Sequence, residues 1–204
     1  KAGYRARLNS QAAAKRKARA ERAKSRAAEL ARARARERNR LRRQSNVLTA
    51  RGEKQLEEGS IDTAISSFRE ALKLNAKNDE AKAGLSEGLT VKATEQLAAG
   101  DELAALPLLE EAALLDPQNQ VAFLKLGELH DARNNNNEAI ANYAKALEID
   151  PELTAVYLPL GLLYAETGDD ARADEMIAKA ETAGTATTEA KFARAAILKR
   201  KGNE

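Results

Sequence analysis

The chain has 204 residues, with 34 Lys and Arg, 31 Asp and Glu, no Cys and no Trp. That length holds one domain, or one domain with an extension, and the absence of Cys excludes disulfides and thiol chemistry. No run approaches the roughly 20 apolar residues that span a bilayer, so a membrane is not an expected partner. The longest candidate, 156–165, is broken by Pro159 and Gly161.

The modest net charge of +3 hides two bodies of opposite sign. Residues 1–44 carry 17 Lys and Arg against 3 Glu, a net of +14; residues 45–204 carry 17 against 28, a net of −11. A basic arm on an acidic domain implies a polyanionic partner. Residues 11–44 contain no Gly or Pro and are rich in Ala, Arg, Lys and Glu, which predicts a helix of about 34 residues. Ala13, Ala20, Ala23, Ala27, Leu30 and Leu41 lie near heptad spacing, but Arg16, Arg34 and Glu37 interrupt the seam. A stable coiled coil needs larger apolar residues there.

The expected contact residues of the arm are Lys15, Arg16, Lys17, Arg19, Arg32, Arg34, Arg36, Arg38, Arg40, Arg42 and Arg43. Tyr4 is the one aromatic in the arm, so base stacking on a single strand is poorly supported. The favoured target is an acidic protein polymer or assembly, such as a tubulin-like filament. The alternative is the backbone of structured RNA in a ribonucleoprotein. The arm lacks the bulky apolar face that inserts into lipid. Its Arg- and Ala-rich composition resembles an organelle transit peptide, but such a segment is normally removed. The expected setting is cytoplasmic, with an organelle matrix as the alternative.

Beyond residue 44 the chain repeats. Ala64, Ala105, Ala139 and Ala173 are spaced by 41, 34 and 34 residues. Four residues after each stands a larger apolar residue (Phe68, Leu109, Tyr143, Ile177), and three further on another Ala (Ala71, Ala112, Ala146, Ala180). Two units end in Asp-Pro, at Asp116-Pro117 and Asp150-Pro151. Upstream of these stand Phe123, Leu126, Gly127 and His130 in one unit, and Tyr157, Leu160, Gly161 and Tyr164 in the next. Their offsets of three, four and seven mark one face of a helix. Gly59, Gly100, 134–137 and Gly168 are turn signals between the halves.

This pattern resembles the tetratricopeptide repeat, a pair of antiparallel helices about 34 residues long. Units are expected at 45–78, 86–119, 120–153 and 154–187, the first two degenerate. Arg51 and Gln55 depart from the pattern in unit one, and Lys92 and Gln96 in unit two. Residues 79–85 are additional, and predict a first helix of unit two lengthened from about Asp79. Pro107 falls within a helix and should bend it; Pro159 is expected near a helix start, where its missing N–H costs less. Residues 188–201 should form a closing amphipathic helix bearing Phe192, Ala195, Ala196, Ile197 and Leu198, followed by a tail to 204. The expected fold is therefore all-α: a right-handed solenoid of four helix pairs with a C-terminal capping helix and a long basic N-terminal helical arm.

The resemblance implies a concave groove lined by the first helix of each unit, suited to a protein or peptide. The groove residues are expected to be Glu53 and Glu57 with Thr49, Ala50 and Leu56; Val91 and Leu97 with Glu87, Thr90 and Thr94; Leu124, Lys125 and Glu128 with Val121 and Asp131; and Leu158 and Leu162 with Ala155 and Glu166. Lys125 is the lone cation among them, so the carboxylate clamp that grips chaperone tails is missing, and a basic amphipathic helix suits the groove better. The basic arm itself could dock there, in cis or from a neighbouring chain. Kinesin light chains are repeat proteins of this class that serve cytoskeletal systems; the longer motif of their repeats is not visible here.

No catalytic constellation is present. His130 occupies an aromatic-type packing position, and no phosphate loop or metalloprotease motif occurs. The expectation is a non-enzymatic adaptor without cofactor or metal.

Overall fold

The computed structural model describes residues 2–185 and 188–202. Lys1, residues 186 and 187 of the expected fourth unit, and residues 203 and 204 of the expected tail lie outside them. The helices are α1 (Ala2–Glu57), α2 (Ile61–Leu74), α3 (Asp79–Ala98), α4 (Glu102–Leu115), α5 (Gln120–Ala132), α6 (Asn136–Ile149), α7 (Thr154–Glu166), α8 (Asp170–Thr182) and α9 (Thr188–Lys201). They pack as consecutive pairs, α1 on α2 through α7 on α8. Successive pairs stack through α2–α3, α4–α5 and α6–α7, and the first helices also touch along α1–α3 and α3–α5. The result is a solenoid of four pairs, closed by α9 against α7 and α8.

The recurrent alanines explain the pairing. Ala64, Ala105, Ala139 and Ala173, with Ala71, Ala112, Ala146 and Ala180, are fully buried. Small side chains there let helix backbones approach, and a larger neighbour fills what remains. The fill follows a fixed spacing of 16 residues: Gly52 faces Phe68, Gly127 faces Tyr143 and Gly161 faces Ile177. A Cβ on Gly127 would sit 2.5 Å from Tyr143 Cδ1, so only glycine fits beneath the ring. In unit two the pair is Ala93 and Leu109, both fully buried in one cluster; the smaller partner leaves room for a methyl.

Each pair turns on a left-handed residue, and three of the four are glycine: Gly59, Gly100 and Gly168, with Asn134 (φ 57°) in the third. The amides there return to the preceding helix, as in Gly59 N to Leu56 O and Ser60 N to Gln55 O, which satisfies carbonyls that a helix end orphans.

Four sequence expectations change in detail. The arm helix expected over 11–44 is part of α1, which runs unbroken into unit one; no Gly or Pro lies between Gly3 and Gly52 to stop it. Of the Asn run at 134–137, only Asn134 and Asn135 connect, since α6 begins at Asn136. Pro159 is the sixth residue of α7, beyond the first turn, and removes an interior hydrogen bond. In α9 the inward residues are Ala190 and Ile197, whereas Phe192 and Leu198 stand 73% and 58% exposed. A helix docked along one line cannot also bury residues on its far side. The lengthened α3 does begin at Asp79, and α4 continues through Pro107.

Candidate interaction surfaces

Two recesses flank α1. The first, about 820 Å³, lies between α1 and the α2–α3 turn. Arg34, Arg38 and Arg42 enter it from successive turns of α1, and Lys77 faces them from the turn. Glu37, Asp79 and Glu80 also line it, over Leu41 and Leu74. Two of these acids are already engaged: Glu37 with Arg40 at 2.6 Å and Asp79 with Lys82 at 2.7 Å. The Lys82 ammonium hydrogen-bonds the Asp79 carboxylate and holds its pKa below the usual range. Lys77 carried no signal in the sequence, since it belongs to neither arm nor groove until the turn brings it under α1.

The remaining expected arm residues, Lys15, Arg16, Lys17, Arg19, Arg32, Arg36, Arg40 and Arg43, are exposed along α1 and converge on no common recess. Ser45 is the first buried residue of α1 among those described, fully enclosed.

The second recess, about 710 Å³, lies between α1, α3 and the α4–α5 turn. Its walls carry Glu53, Glu80, Glu87 and Asp116, with no cation among the lining residues. Val91 and Val121 are 37% and 47% exposed within it. Among the described residues Glu53, Glu57, Glu80 and Glu87 join no ion pair. Sequence reasoning found Glu53, Glu87, Thr90, Val91 and Val121 but missed Glu80 and Asp116, which come from segments it assigned to an insertion and a repeat end.

The other expected groove residues are distributed differently. Glu57 is exposed near the end of α1. Lys125 is neutralised by Glu128 at 2.7 Å. Leu124 and Leu158 are half-buried against one core cluster, and Leu162 is half-buried on α7. Leu97 packs with Ala93, Ala105, Leu109 and Leu126, so it belongs to the core. Thr49 is only 2% exposed, and Thr90, although it borders the second recess, only 6%. They face inward because each receives a hydrogen bond from a capping Asn, Asn78 at 2.9 Å and Asn119 at 2.9 Å.

Further along, burial and the nearby Glu166 carboxylate raise the pKa of Asp131, while the Tyr143 hydroxyl, donating at 3.5 Å, opposes the shift. Burial and the charge of Asp131 in turn push the Tyr143 hydroxyl above its usual range. His130 is half-buried, with Asn135 Nδ2 3.5 Å from its Nδ1. No cluster of three His, Cys, Asp or Glu suited to a metal ion occurs among the described residues. No described helix is long and apolar enough to cross a membrane.

A family described as TPR repeat matches residues 132–168. A tetratricopeptide repeat protein from Parabacteroides merdae superposes with a TM-score of 0.50 at 20% identity, over 79% of this chain and 61% of that one. This chain thus spans less than two thirds of that protein. MamA protein aligns with a TM-score of 0.43 at 22% identity, over 67% of this chain and 90% of its own. PilF of Pseudomonas aeruginosa aligns with 0.42 at 19% identity, over 81% and 71%. No curated protein matches the sequence.

Proposed function

We propose that this chain, a tetratricopeptide-repeat protein, is a non-enzymatic adaptor with two separate contact surfaces. The repeat solenoid supports interaction with protein partners. The finer reading assigns the acidic, apolar recess of α1, α3 and the α4–α5 turn to a basic amphipathic helix or peptide. It assigns the basic stretch of α1 to an acidic polymer or assembly, such as a protein filament with a negatively charged surface, in a cytoplasmic setting.

One observation carries this reading. Arg34, Arg38 and Arg42 stand on one face of α1 opposite Lys77, on the same uninterrupted helix that forms the first wall of the acidic recess. Both surfaces share one stiff element, which fixes the relative orientation of their ligands. A helix also presents cations at regular intervals of about 6 Å per four residues, which suits a repetitive charged surface better than base recognition.

The test is co-sedimentation of the full chain with an acidic protein filament, before and after nuclease treatment, at low and high salt. Retention after nuclease treatment that falls with salt supports the protein-polymer assignment. Loss on nuclease treatment transfers the arm to RNA backbone, and no retention at low salt removes the tether altogether.

A further inference from the structure

The acidic recess and the free part of α1 match each other in pattern as well as in sign. Ala20, Ala23, Ala27 and Leu30 follow one another at intervals of three and four, which places them on one side of α1. All four are exposed, Leu30 by 60%. This stripe is about 15 Å long. Arg16 and Arg34 close its two ends, and Arg19, Arg26 and Lys24 border it. The recess has the complementary chemistry: Val91 and Val121 are partly exposed, and Glu53, Glu80, Glu87 and Asp116 share its lining. An apolar stripe bordered by cations thus matches a partly apolar recess whose Glu53, Glu80 and Glu87 join no ion pair among the described residues.

The chain's own arm can make this contact only by breaking α1. Glu53 of α1 lines the recess, so residues 16–34 would have to reverse direction before Ser45, where α1 first becomes buried among the described residues. That point is fastened: Ser45 Oγ donates to Ala71 O at 2.9 Å and accepts from Asn78 Nδ2 at 2.8 Å. No glycine or proline lies between Arg34 and Gly52 to serve as a hinge. Docking in cis, one of the two sequence-based expectations, would require breaking a continuous helix.

We infer that the recess receives residues 16–34 of a second copy of this chain. The contact joins two different surfaces, so it is heterologous and can pass from copy to copy. It rests on the reading of the recess as a site for a basic helix, and is independent of which polyanion the arm otherwise binds. Arm residues held in a neighbour's recess are withdrawn from the polyanion, so self-association and tethering compete, and salt weakens both.

The test uses sedimentation velocity of the full chain at low and high salt, with two variants. The recess variant carries Glu53→Gln, Glu80→Gln and Glu87→Gln; the arm variant carries Arg16→Gln, Arg19→Gln and Arg26→Gln. All six positions are exposed, and circular dichroism checks that the helices persist. The expected result is a wild-type mass that grows with concentration at low salt and falls to the monomer at high salt. Each variant alone stays monomeric, and an equimolar mixture forms a pair that grows no further, because one intact arm meets one intact recess. A wild-type chain that stays monomeric at low salt overturns the inference, as does self-association by either variant alone or failure of the mixture to pair. The recess variant retains its arm, so its binding to an acidic filament reports on the tether separately. Binding retained without self-association removes this inference alone; the converse removes the tether alone.

Discussion

Asn78 joins two repeat units by donating from Nδ2 to Ser45 Oγ at 2.8 Å, across 33 positions of sequence. The same side chain accepts from Ala81 N and so caps α3. Asn119 repeats the arrangement one unit later, with Ser86 Oγ at 2.8 Å, Thr90 Oγ1 at 2.9 Å and Ala122 N at 3.0 Å. In both copies the serine hydroxyl donates onward to the second helix of its own pair, to Ala71 O and Ala112 O. A single Asn thus ties three helices together. Its replacement by Ala removes a cap and a buried donor together, each typically worth about 1 kcal/mol. Asn78→Ala and Asn119→Ala are each expected to lower unfolding free energy by about 1–3 kcal/mol in urea titration. A loss below about 0.5 kcal/mol would show the latch to be incidental.

Phe68 is held between two glycines from different helices. A Cβ on Gly52 would lie 2.7 Å from its Cε1, and one on Gly84 would lie 2.4 Å from the same atom. Phe68 is fully buried, so the ring cannot swing aside cheaply. Gly84→Ala is expected to destabilise by about 1–3 kcal/mol through overpacking. In a Phe68→Leu background the added methyl should cost much less, as Ala93 opposite Leu109 illustrates. Equal penalties in the two backgrounds, measured as a double-mutant cycle, would contradict the steric account.

These two features mark where the sequence was legible and where it was not. The alanine ladder and turn residues stand at fixed offsets and could be read directly, because helix pairing demands small residues at one spacing and left-handed turns at another. The Asn latches were also written there: Ser45 and Ser86, Thr49 and Thr90, Asn78 and Asn119 all differ by 41. They stand outside the alanine, glycine and large apolar positions that define the repeat, and recur only between units one and two. Unit four has Leu153 where a third latch Asn would fall, with no side-chain cap, packed on the apolar cluster instead. The second recess was half legible. Glu53, Glu87 and Val91 follow from helix phase, whereas Asp116 and Glu80 enter through a turn and a lengthened helix whose placement depends on stacking between units. The facing of α9 is not fixed by its sequence, because six apolar residues in the seven of 192–198 leave more than one face open.

Asp131 supplies a prediction in pH. Burial, and then the charge of Glu166, hold its carboxyl above the ordinary carboxylate range. The folded chain therefore binds that proton more tightly than the unfolded one, and ionised Asp131 costs stability above its raised pKa. The cost disappears as pH falls below the unfolded value. Asp131→Asn keeps an oxygen to accept from Tyr143 and is expected to raise Tm at neutral pH by about 1–2 °C. The gain should vanish in acid. An equal gain at both pH values would point to packing and not to charge.

The claim at the centre of this account is that α1 binds an acidic polymer through the face bearing Arg34, Arg38 and Arg42. The most direct measurement is fluorescence anisotropy of the full chain titrated with polyglutamate across a salt series, for the wild type and for the triple variant Arg34→Gln, Arg38→Gln and Arg42→Gln. The account predicts wild-type affinity that falls steeply with salt, as expected when cations meet a polyanion, and a variant that binds more weakly with a flatter dependence. Identical affinity and identical salt dependence in the two proteins would contradict it.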